Sequence, residues 1–310
     1  MPDPFDAYTP TKSNPWTLAK VGHLLRRATF GPTRNELQAA LRDGPEATVT
    51  RLVEGVAPTA DELATSEFTA SERSLPQGAG ATQLAAWWLG RILRTGHPLR
   101  EKLTLFRHNH FATSVVKVRN ARQMLGQYQL LHTHALGDFR ALLTAMATDP
   151  AMLVWLDGTM SAKGAPNENY ARELMELFAL GRGPYTEADV REAARAFTGY
   201  EVTAAGGKLN PRRHDAGPKT VLGRTGDFDA GDVTKLCLDH PACPRFLVAK
   251  LLRELVSDTA ATPADLVDLL ARRYRESGFD TGKLVETILR SEYFFAAGNA
   301  RAASRTSASV

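Results

Sequence analysis

Apolar residues recur at intervals of three and four positions along most of this 310-residue chain. In residues 16–28, for example, Leu18, Val21, Leu24 and Leu25 fall on one side of a helix. A parallel sheet would instead need repeated apolar runs of β-branched residues, which the sequence lacks. The pattern therefore predicts a mainly α-helical fold.

One stretch interrupts the helical pattern. Residues 201–230 are rich in Gly, Pro, Lys and Arg, and the segment "KTVLG" at 219–223 is suited to one strand of a small hairpin. The composition, 43% hydrophobic and 23% charged, is enough to bury a sizeable core, and no internal repeat is visible. We predict a single orthogonal multi-helix domain, residues 17–297, with a small irregular or β-hairpin insertion near 201–230.

The two ends of the chain differ from this domain in composition. Residues 1–16 are rich in Pro and Thr, and we expect a flexible N-terminal leader there. Residues 298–310 are rich in Ala, Ser and Arg, and we expect a disordered tail. The sequence as given opens without a signal-peptide pattern and has no apolar run of about 20 residues. We therefore expect a cytoplasmic protein without a membrane span, or an exported one if the sequence is truncated.

Charge and cysteine content argue against two further classes. The 38 Lys and Arg residues against 34 Asp and Glu give a net charge of +4, and no block of like charge stands out. This distribution does not indicate a nucleic-acid partner. Cys237 and Cys243 are too few for a disulfide framework, and we expect both to be reduced and structural.

The segment 166–181, "PNENYARELMELFALG", is the most informative stretch. Asn167 is a favoured N-cap, and helical spacing places Glu168, Arg172 and Glu176 in line on one face. Most of the remaining helix surface is apolar. We therefore expect the narrow polar band to face a cavity, a metal ion or a partner charge.

The same helix offers a second set of polar side chains. Asn169 and Glu173 share another line, and Glu173 and Glu176 can present two carboxylates in one direction, as helix-borne metal sites do. The alternative is a solvated Glu–Arg–Glu ladder, which stabilises a helix by about 0.3 kcal/mol per pair.

Histidines at 108 and 110 lie in "FRHNHFATS", residues 106–114. Positions two apart on a helix point to different sides, so His108 and His110 can chelate one ion only if the helix has ended before them. The alternative is one core histidine and one that caps the last carbonyls of a helix.

A third candidate is the segment "NPRRHDAGPKTVLG", residues 210–223. His214 and Asp215 are adjacent in a Gly- and Pro-rich loop, where binding groups are often held. Arg212 and Lys219 would suit a phosphate or a carboxylate. The alternative is a solvated basic loop.

Six segments occur in an order that resembles a known bacterial family. They are "HLLRRATFGPT" (23–33), "FRHNHFATS" (106–114), "HALGDFRALLTAMATDPAMLVWLDG" (134–158), "NENYARELMELFALG" (167–181), "DVREAARAFTGY" (189–200) and "HDAGPKTVLG" (214–223). Together they resemble the family catalogued as domain of unknown function 1800, and the resemblance covers about residues 17–297.

The resemblance implies a partner but no reaction. Many members of that family look longer and exported, and they are often encoded beside a sulfatase-like family, which implies a protein partner of that class. The resemblance also adds weight to the residues inside its motifs, which are His108, His110, Asn167, Glu168, Asn169, Arg172, Glu173, His214, Asp215 and Lys219.

We favour a metal-dependent enzyme, hydrolytic or oxidative, that acts on a small anionic substrate. His108, His110 and His214 are the candidate ligands for Zn, Fe, Mn or Cu. The candidate catalytic residues are Glu173, Glu176 and Asp215. The candidate substrate-binding residues are Asn167, Glu168, Asn169, Arg172, Arg212 and Lys219.

Two alternatives stay open. One is a non-catalytic helical binding or assembly module, in which a buried Glu–Arg–His network fixes the register of the helices. The other is a metal-free enzyme that acts on an anionic substrate through His214 and Asp215.

Overall fold

The computed structural model describes residues 3–56, 80–204, 206–257 and 262–296. These residues contain fifteen α-helices, which confirms the predicted mainly α-helical fold. In chain order the helices are α1 (Leu18–Ala28), α2 (Arg34–Glu54), α3 (Ala81–Arg94), α4 (Pro98–Phe111), α5 (Val115–Val118), α6 (Ala121–Thr133), α7 (Phe139–Met146), α8 (Pro150–Trp155), α9 (Asn169–Glu173), α10 (Glu187–Ala196), α11 (Ala230–Asp239), α12 (Ala242–Leu255), α13 (Ala264–Glu276), α14 (Thr281–Arg290) and α15 (Glu292–Phe295).

Four short strands lie in the predicted insertion. Strand β1 (Tyr200–Thr203) pairs antiparallel with β2 (Gly206–Leu209), and β3 (Lys219–Val221) pairs antiparallel with β4 (Arg224–Gly226). The two pairs form separate two-stranded sheets. The predicted β-hairpin insertion is therefore confirmed, with two hairpins rather than one.

Helix starts follow local capping chemistry. The Thr33 hydroxyl accepts the backbone N–H of Glu36, and the Glu36 carboxylate accepts the N–H of Thr33 in return. The same reciprocal pair forms between Thr186 and Asp189 at the start of α10. Pro98 occupies the first turn of α4, where a missing backbone N–H costs nothing. These starts satisfy backbone groups that a helix cannot satisfy internally.

The helix that begins at α9 changes its period after one turn. Residues 174–179 form a π-helical segment, in which the N–H of Leu180 donates to the carbonyl of Met175 at 2.8 Å. A single π-helical turn is rare and is often found at functional sites. Because the turn is wider than an α-helical one, residues beyond position 173 no longer line up with those before it.

Most of the helices share one core of buried apolar side chains, which extends from Phe5 to Phe295. A second, smaller cluster is made of Trp87, Leu125 and Tyr128, with Trp88 packed against it. This aromatic cluster joins α3 to α6 at one side of the molecule. No helix in the described ranges is both long and apolar enough to cross a bilayer.

Residues 3–16 are packed onto the helices, so the expectation of a flexible leader is wrong for them. Phe5 and Tyr8 are each only 5% exposed. The N–H of Tyr8 donates to the carbonyl of Arg290 at 2.7 Å, and its hydroxyl donates to the carbonyl of Asn14 at 2.8 Å. Two buried aromatic rings outweigh the local Pro content. The expected tail, 298–310, lies outside the described residues.

Replacing Phe5 with Ala tests this packing. We expect Phe5→Ala to lower the free energy of unfolding by about 3 kcal/mol, because a buried ring is lost and a cavity remains. Phe30→Ala is the control, since Phe30 is 43% exposed and should cost about 1 kcal/mol or less. Urea unfolding of both variants measures the difference, and equal small losses would contradict the packed N-terminus.

Candidate functional site

A cavity of about 210 Å³ lies beside the aromatic cluster, between α3, α4, α5 and α6. Leu84, Trp87 and Trp88 line it from α3, and Met124 and Leu125 line it from α6. Among the described residues that line this cavity, none is Lys, Arg, Asp or Glu. A charged ligand would lose its hydration there without an opposite charge, so the lining suits an uncharged molecule.

His108 supplies one polar group to the cavity wall. Its ring lies edge-on to Trp88, with 5.2 Å between the ring centroids. Among the described residues, neither ring nitrogen has a hydrogen-bond partner. Burial lowers the pKa of His108 below its ordinary value, so the imidazole is neutral at pH 7. One nitrogen can then donate to a ligand and the other can accept.

The aromatic wall is held from behind by a buried carboxylate. Glu101 accepts hydrogen bonds from the Tyr128 hydroxyl at 2.8 Å and from Nε1 of Trp88 at 3.3 Å. Arg91 Nε and His132 Nε2 lie 3.3 and 3.2 Å from the same carboxylate. Burial raises the pKa of Glu101, but the hydrogen bonds from His132 and Tyr128 outweigh it and hold the pKa below its ordinary value. The carboxylate therefore stays ionised and orients both rings.

A chain of buried polar side chains leads away from the cavity. Thr113 lines the cavity, and its hydroxyl donates to Oε1 of Gln127. Nε2 of Gln127 donates to Oδ2 of Asp149 at 2.9 Å, and the same oxygen accepts the backbone N–H of Met152. Burial raises the pKa of Asp149 to about 6 despite these hydrogen bonds. A buried carboxyl group with a shifted pKa near a cavity is typical of functional sites.

The predicted ladder of Glu168, Arg172 and Glu176 is only partly formed. Arg172 pairs with Glu168 at 3.1 Å, but its second partner is Glu187 of α10 at 2.8 Å rather than Glu176. Glu176 pairs with Arg182 at 2.6 Å. Since Glu176 lies in the π-helical segment, the spacing of four residues no longer places it above Arg172. These partly exposed pairs contribute little to stability, and they direct three N–H donors of Arg172 to carboxylates of the protein.

Glu173 is the one carboxylate of this helix that keeps no hydrogen bond or ion pair with the described residues. Burial, and then the neighbouring charge of Glu176, raise its pKa. In the described part of the chain, Glu173 belongs to no group of three or more His, Cys, Asp or Glu side chains that could hold a metal ion.

Asn167 and Asn169 hold the loop before α9. The Asn167 side chain accepts the N–H of Asn169 at 2.9 Å, but the N-cap of α9 is Glu168 and not Asn167 as expected. The Asn169 side chain donates to the carbonyl of Leu156 at 3.3 Å. Both amides therefore satisfy backbone groups, which leaves them less free for the predicted substrate contacts.

The loop that contains His214 and Asp215 is braced against the end of α10. His214 Nδ1 lies 2.9 Å from the carbonyl of Thr198, and Asp215 pairs with Arg195 at 2.8 Å. The Arg195 guanidinium lowers the pKa of Asp215 to about 2. Asp215 is thus a poor general base near neutral pH, and its role is to fix the loop.

The two predicted cations of this loop are not gathered at a site. Lys219 is buried, and its ammonium group donates to the carbonyl of Gly217 at 2.9 Å. Burial lowers the pKa of Lys219. Arg212 is exposed, and its backbone N–H donates to the side chain of Asn210. Neither arrangement forms an anion site with His214.

The predicted histidine metal centre is not assembled. Helix α4 continues through Phe111, so His108 and His110 are both helical and point to different sides. His110 Nε2 lies 3.0 Å from the carbonyl of Phe178, in the π-helical segment, while His108 faces the cavity. No three His, Cys, Asp or Glu side chains in the described ranges are placed to hold a metal ion. Cys237 and Cys243 are free and buried, as expected.

Sequence patterns did not predict most of the residues that line the cavity. The pattern around Trp87 and Trp88 is typical of an ordinary core helix. Asp149 is typical of a helix cap, and it does cap α8. One signal was available, because Thr113 lies in the same "FRHNHFATS" segment as His108. No sequence pattern around Gln127 indicates that it belongs to a site.

These observations define a mainly α-helical protein with a small cavity walled by aromatic rings, in which none of the described lining residues is charged. The chain belongs to the family described as protein of unknown function (DUF1800), whose profile matches residues 23–306. The predicted family resemblance is therefore confirmed. No curated protein and no solved structure matches the chain.

The raised pKa of Asp149 gives a test by pH. Because the native state favours the protonated carboxyl, this group contributes stability that is present below about pH 4 and is lost as pH rises to about 6. A shift of this size corresponds to about 3 kcal/mol. We expect the stability of the unmodified protein, relative to Asp149→Asn, to fall by up to that amount over this range.

Urea unfolding at several pH values between 4 and 7 measures the effect. Asp138→Asn is the matched control, because Asp138 caps α7 in the same way but its side chain is 42% exposed. Equal pH slopes for the two substitutions would contradict the assignment to Asp149.

Proposed function

We propose that this protein binds a small, uncharged and mainly apolar molecule of one or two rings in the cavity between α3 and α6. The single observation that carries the proposal is that this apolar cavity contains a neutral imidazole, that of His108, without a hydrogen-bond partner among the described residues. A pocket of this kind, with few polar groups, is the usual form of a small-molecule site.

The size of the cavity supports this ligand class. Its volume is about 210 Å³, and an engineered apolar cavity of about 150 Å³ in another protein binds benzene. Trp87, Trp88 and Tyr128 line the cavity, and the Tyr128 ring is nearly perpendicular to both indole rings, an arrangement to which a further aromatic ring can be added. The hydrogen bonds of Trp88 and Tyr128 to Glu101 support a preformed site, which lowers the entropic cost of binding.

The proposal departs from the expected metal-dependent enzyme with an anionic substrate. Zn, Fe, Mn or Cu would need ligands other than the set His108, His110 and His214, and we derive no chemistry from such a metal. The proposal is closest to the alternative of a helical binding module. A sulfatase-like protein partner remains a separate proposal that rests on the family resemblance alone.

Blocking the cavity tests the proposal. Ala85 and Ala86 are both exposed, but only Ala85 lines the cavity. We expect Ala85→Phe to weaken the binding of toluene at least tenfold, because the new ring occupies the ligand's space. Ala86→Phe is the matched control and should bind toluene as the unmodified protein does.

Tryptophan emission reports binding directly, since Trp87 and Trp88 are two of the four tryptophans in the chain. Titration with toluene, with a melting-temperature shift as a second readout, gives the dissociation constants. If toluene leaves both signals unchanged, or if the two phenylalanine variants bind it equally, the proposed function fails.

A further inference from the structure

Lys250 lies on α12, where it contacts the π-helical segment. Its side-chain nitrogen Nζ is 3.3 Å from the carbonyl oxygen of Leu177 and 5.0 Å from the centre of the Phe246 ring, one turn earlier on the same helix. Because the side chain is half-buried, the nitrogen packs against the protein on one side and can still be reached from solvent. A π-helical turn is often found at functional sites, and Lys250 brings a nucleophilic nitrogen to this one.

The charged neighbours of Lys250 are cations. Arg107 acts on it from α4, and Arg253 lies three residues further along α12, so both guanidinium groups repel a charged ammonium group at position 250. Arg107 is 1% exposed and is held by the hydroxyl of Thr281 and the ring of Phe139, not by a carboxylate. Among the described residues, none of these three cations forms an ion pair with Asp or Glu. The positive charge of this cluster is therefore uncompensated.

The other titratable groups nearby do not supply a negative charge. His110 of α4 is buried, and burial together with two neighbouring cations holds the pKa of His110 well below its ordinary value, so its imidazole is neutral at pH 7. Glu254 follows Lys250 by four residues, but its carboxylate acts on the ammonium group of Lys102. Burial, and then the two guanidinium groups, lower the pKa of Lys250 to about 8. A partly desolvated lysine beside other cations is the usual form of a nucleophilic amine.

The lowered pKa of Lys250 matters because only the neutral amine has a free electron pair. At pH 7.5 about a quarter of the Lys250 side chains are neutral, against about one in a thousand for a lysine of ordinary pKa. The neutral amine can donate one N–H to the carbonyl of Leu177 and keep its electron pair for an electrophile.

Arg253 offers an anion-binding group beside this amine. It is exposed, and it has no hydrogen bond or ion pair with the described residues. Positions three apart on a helix are neighbours, with about 5 to 6 Å between their Cβ atoms. A guanidinium group binds a carboxylate or a phosphate through two parallel N–H donors. A ligand that carries an anionic group and an electrophilic carbon can therefore engage Arg253 and Lys250 together.

We propose that Lys250 forms an imine with a small aldehyde that carries an anionic group, and that Arg253 binds this group. The nitrogen of Lys250 bonds to the aldehyde carbon, and the carbonyl oxygen leaves as water with the two hydrogens of the amine. The imine nitrogen then takes up one proton, which it can donate to the carbonyl of Leu177. No oxidant or reductant is consumed. Neither Lys250 nor Arg253 lines the aromatic cavity, so the inference does not depend on the proposed binding function.

Reductive trapping of the full chain with 4-carboxybenzaldehyde tests the reaction. Sodium cyanoborohydride converts each imine to a stable amine, and peptide mass spectrometry measures the labelling rate of each lysine at pH 7.5. We expect Lys250 to be labelled about tenfold faster than Lys235, which is exposed on α11. The rate at Lys250 should reach half its maximum at about pH 8. If Lys250 is labelled no faster than Lys235, the inference is overturned.

The methyl ester of the same probe tests the role of Arg253. The ester carries the same aldehyde but no charge, and the acid-to-ester ratio of rates at Lys235 corrects for the intrinsic reactivity of the two probes. We expect a corrected ratio of about five at Lys250 in the unmodified protein, and of about one in Arg253→Gln. Arg94→Gln is the matched control, because Arg94 is exposed on α3, and it should keep the ratio of the unmodified protein.

Two results of this comparison would contradict the inference. A corrected ratio of one in the unmodified protein would refute the anionic ligand class. A ratio that persists in Arg253→Gln would refute the binding of the anionic group by Arg253.

Discussion

The carboxylate of Glu101 joins the helices that enclose the cavity. Glu101 lies on α4, and its hydrogen-bond donors come from Trp88 on α3 and Tyr128 on α6. Removing a carboxylate from water costs several kcal/mol unless donors surround it, so the three helices must meet at this point for the charge to be tolerated. The same two donors are the rings that wall the cavity. The shape of the site thus follows from satisfying one buried charge.

Other polar residues that stand out in the sequence are likewise held by hydrogen bonds or ion pairs within the protein. His110 and Lys250 lie 3.0 and 3.3 Å from the carbonyls of Phe178 and Leu177, which belong to the π-helical segment. Asp215 forms an ion pair with Arg195 and so fixes the loop that follows α10. Because these side chains already have partners within the protein, few polar groups remain available at the cavity. Among the described residues that line the cavity, the His108 imidazole and Nε1 of Trp87 are left without a hydrogen-bond partner.

Local patterns predicted the helices well and their side-chain partners poorly. Thr33 with Glu36, and Thr186 with Asp189, marked helix starts because capping acts within four residues. The expected line from Arg172 to Glu176 assumed an unbroken α-helical period, and the π-helical segment shifted Glu176 to Arg182. The expected chelation by two histidines assumed that α4 ended before His108, whereas packing extends it through Phe111.

The sequence by itself determined the mainly α-helical class, the position of the hairpin insertion and the membership in the family, because each depends on spacing along the chain. Only the tertiary structure decided which polar groups meet. Thr113, Gln127 and Asp149 are 14 and 22 residues apart in sequence, and no periodicity connects residues on three separate elements. Their meeting is set by how α6 and α8 pack, which is a property of side-chain volume and burial across the whole core.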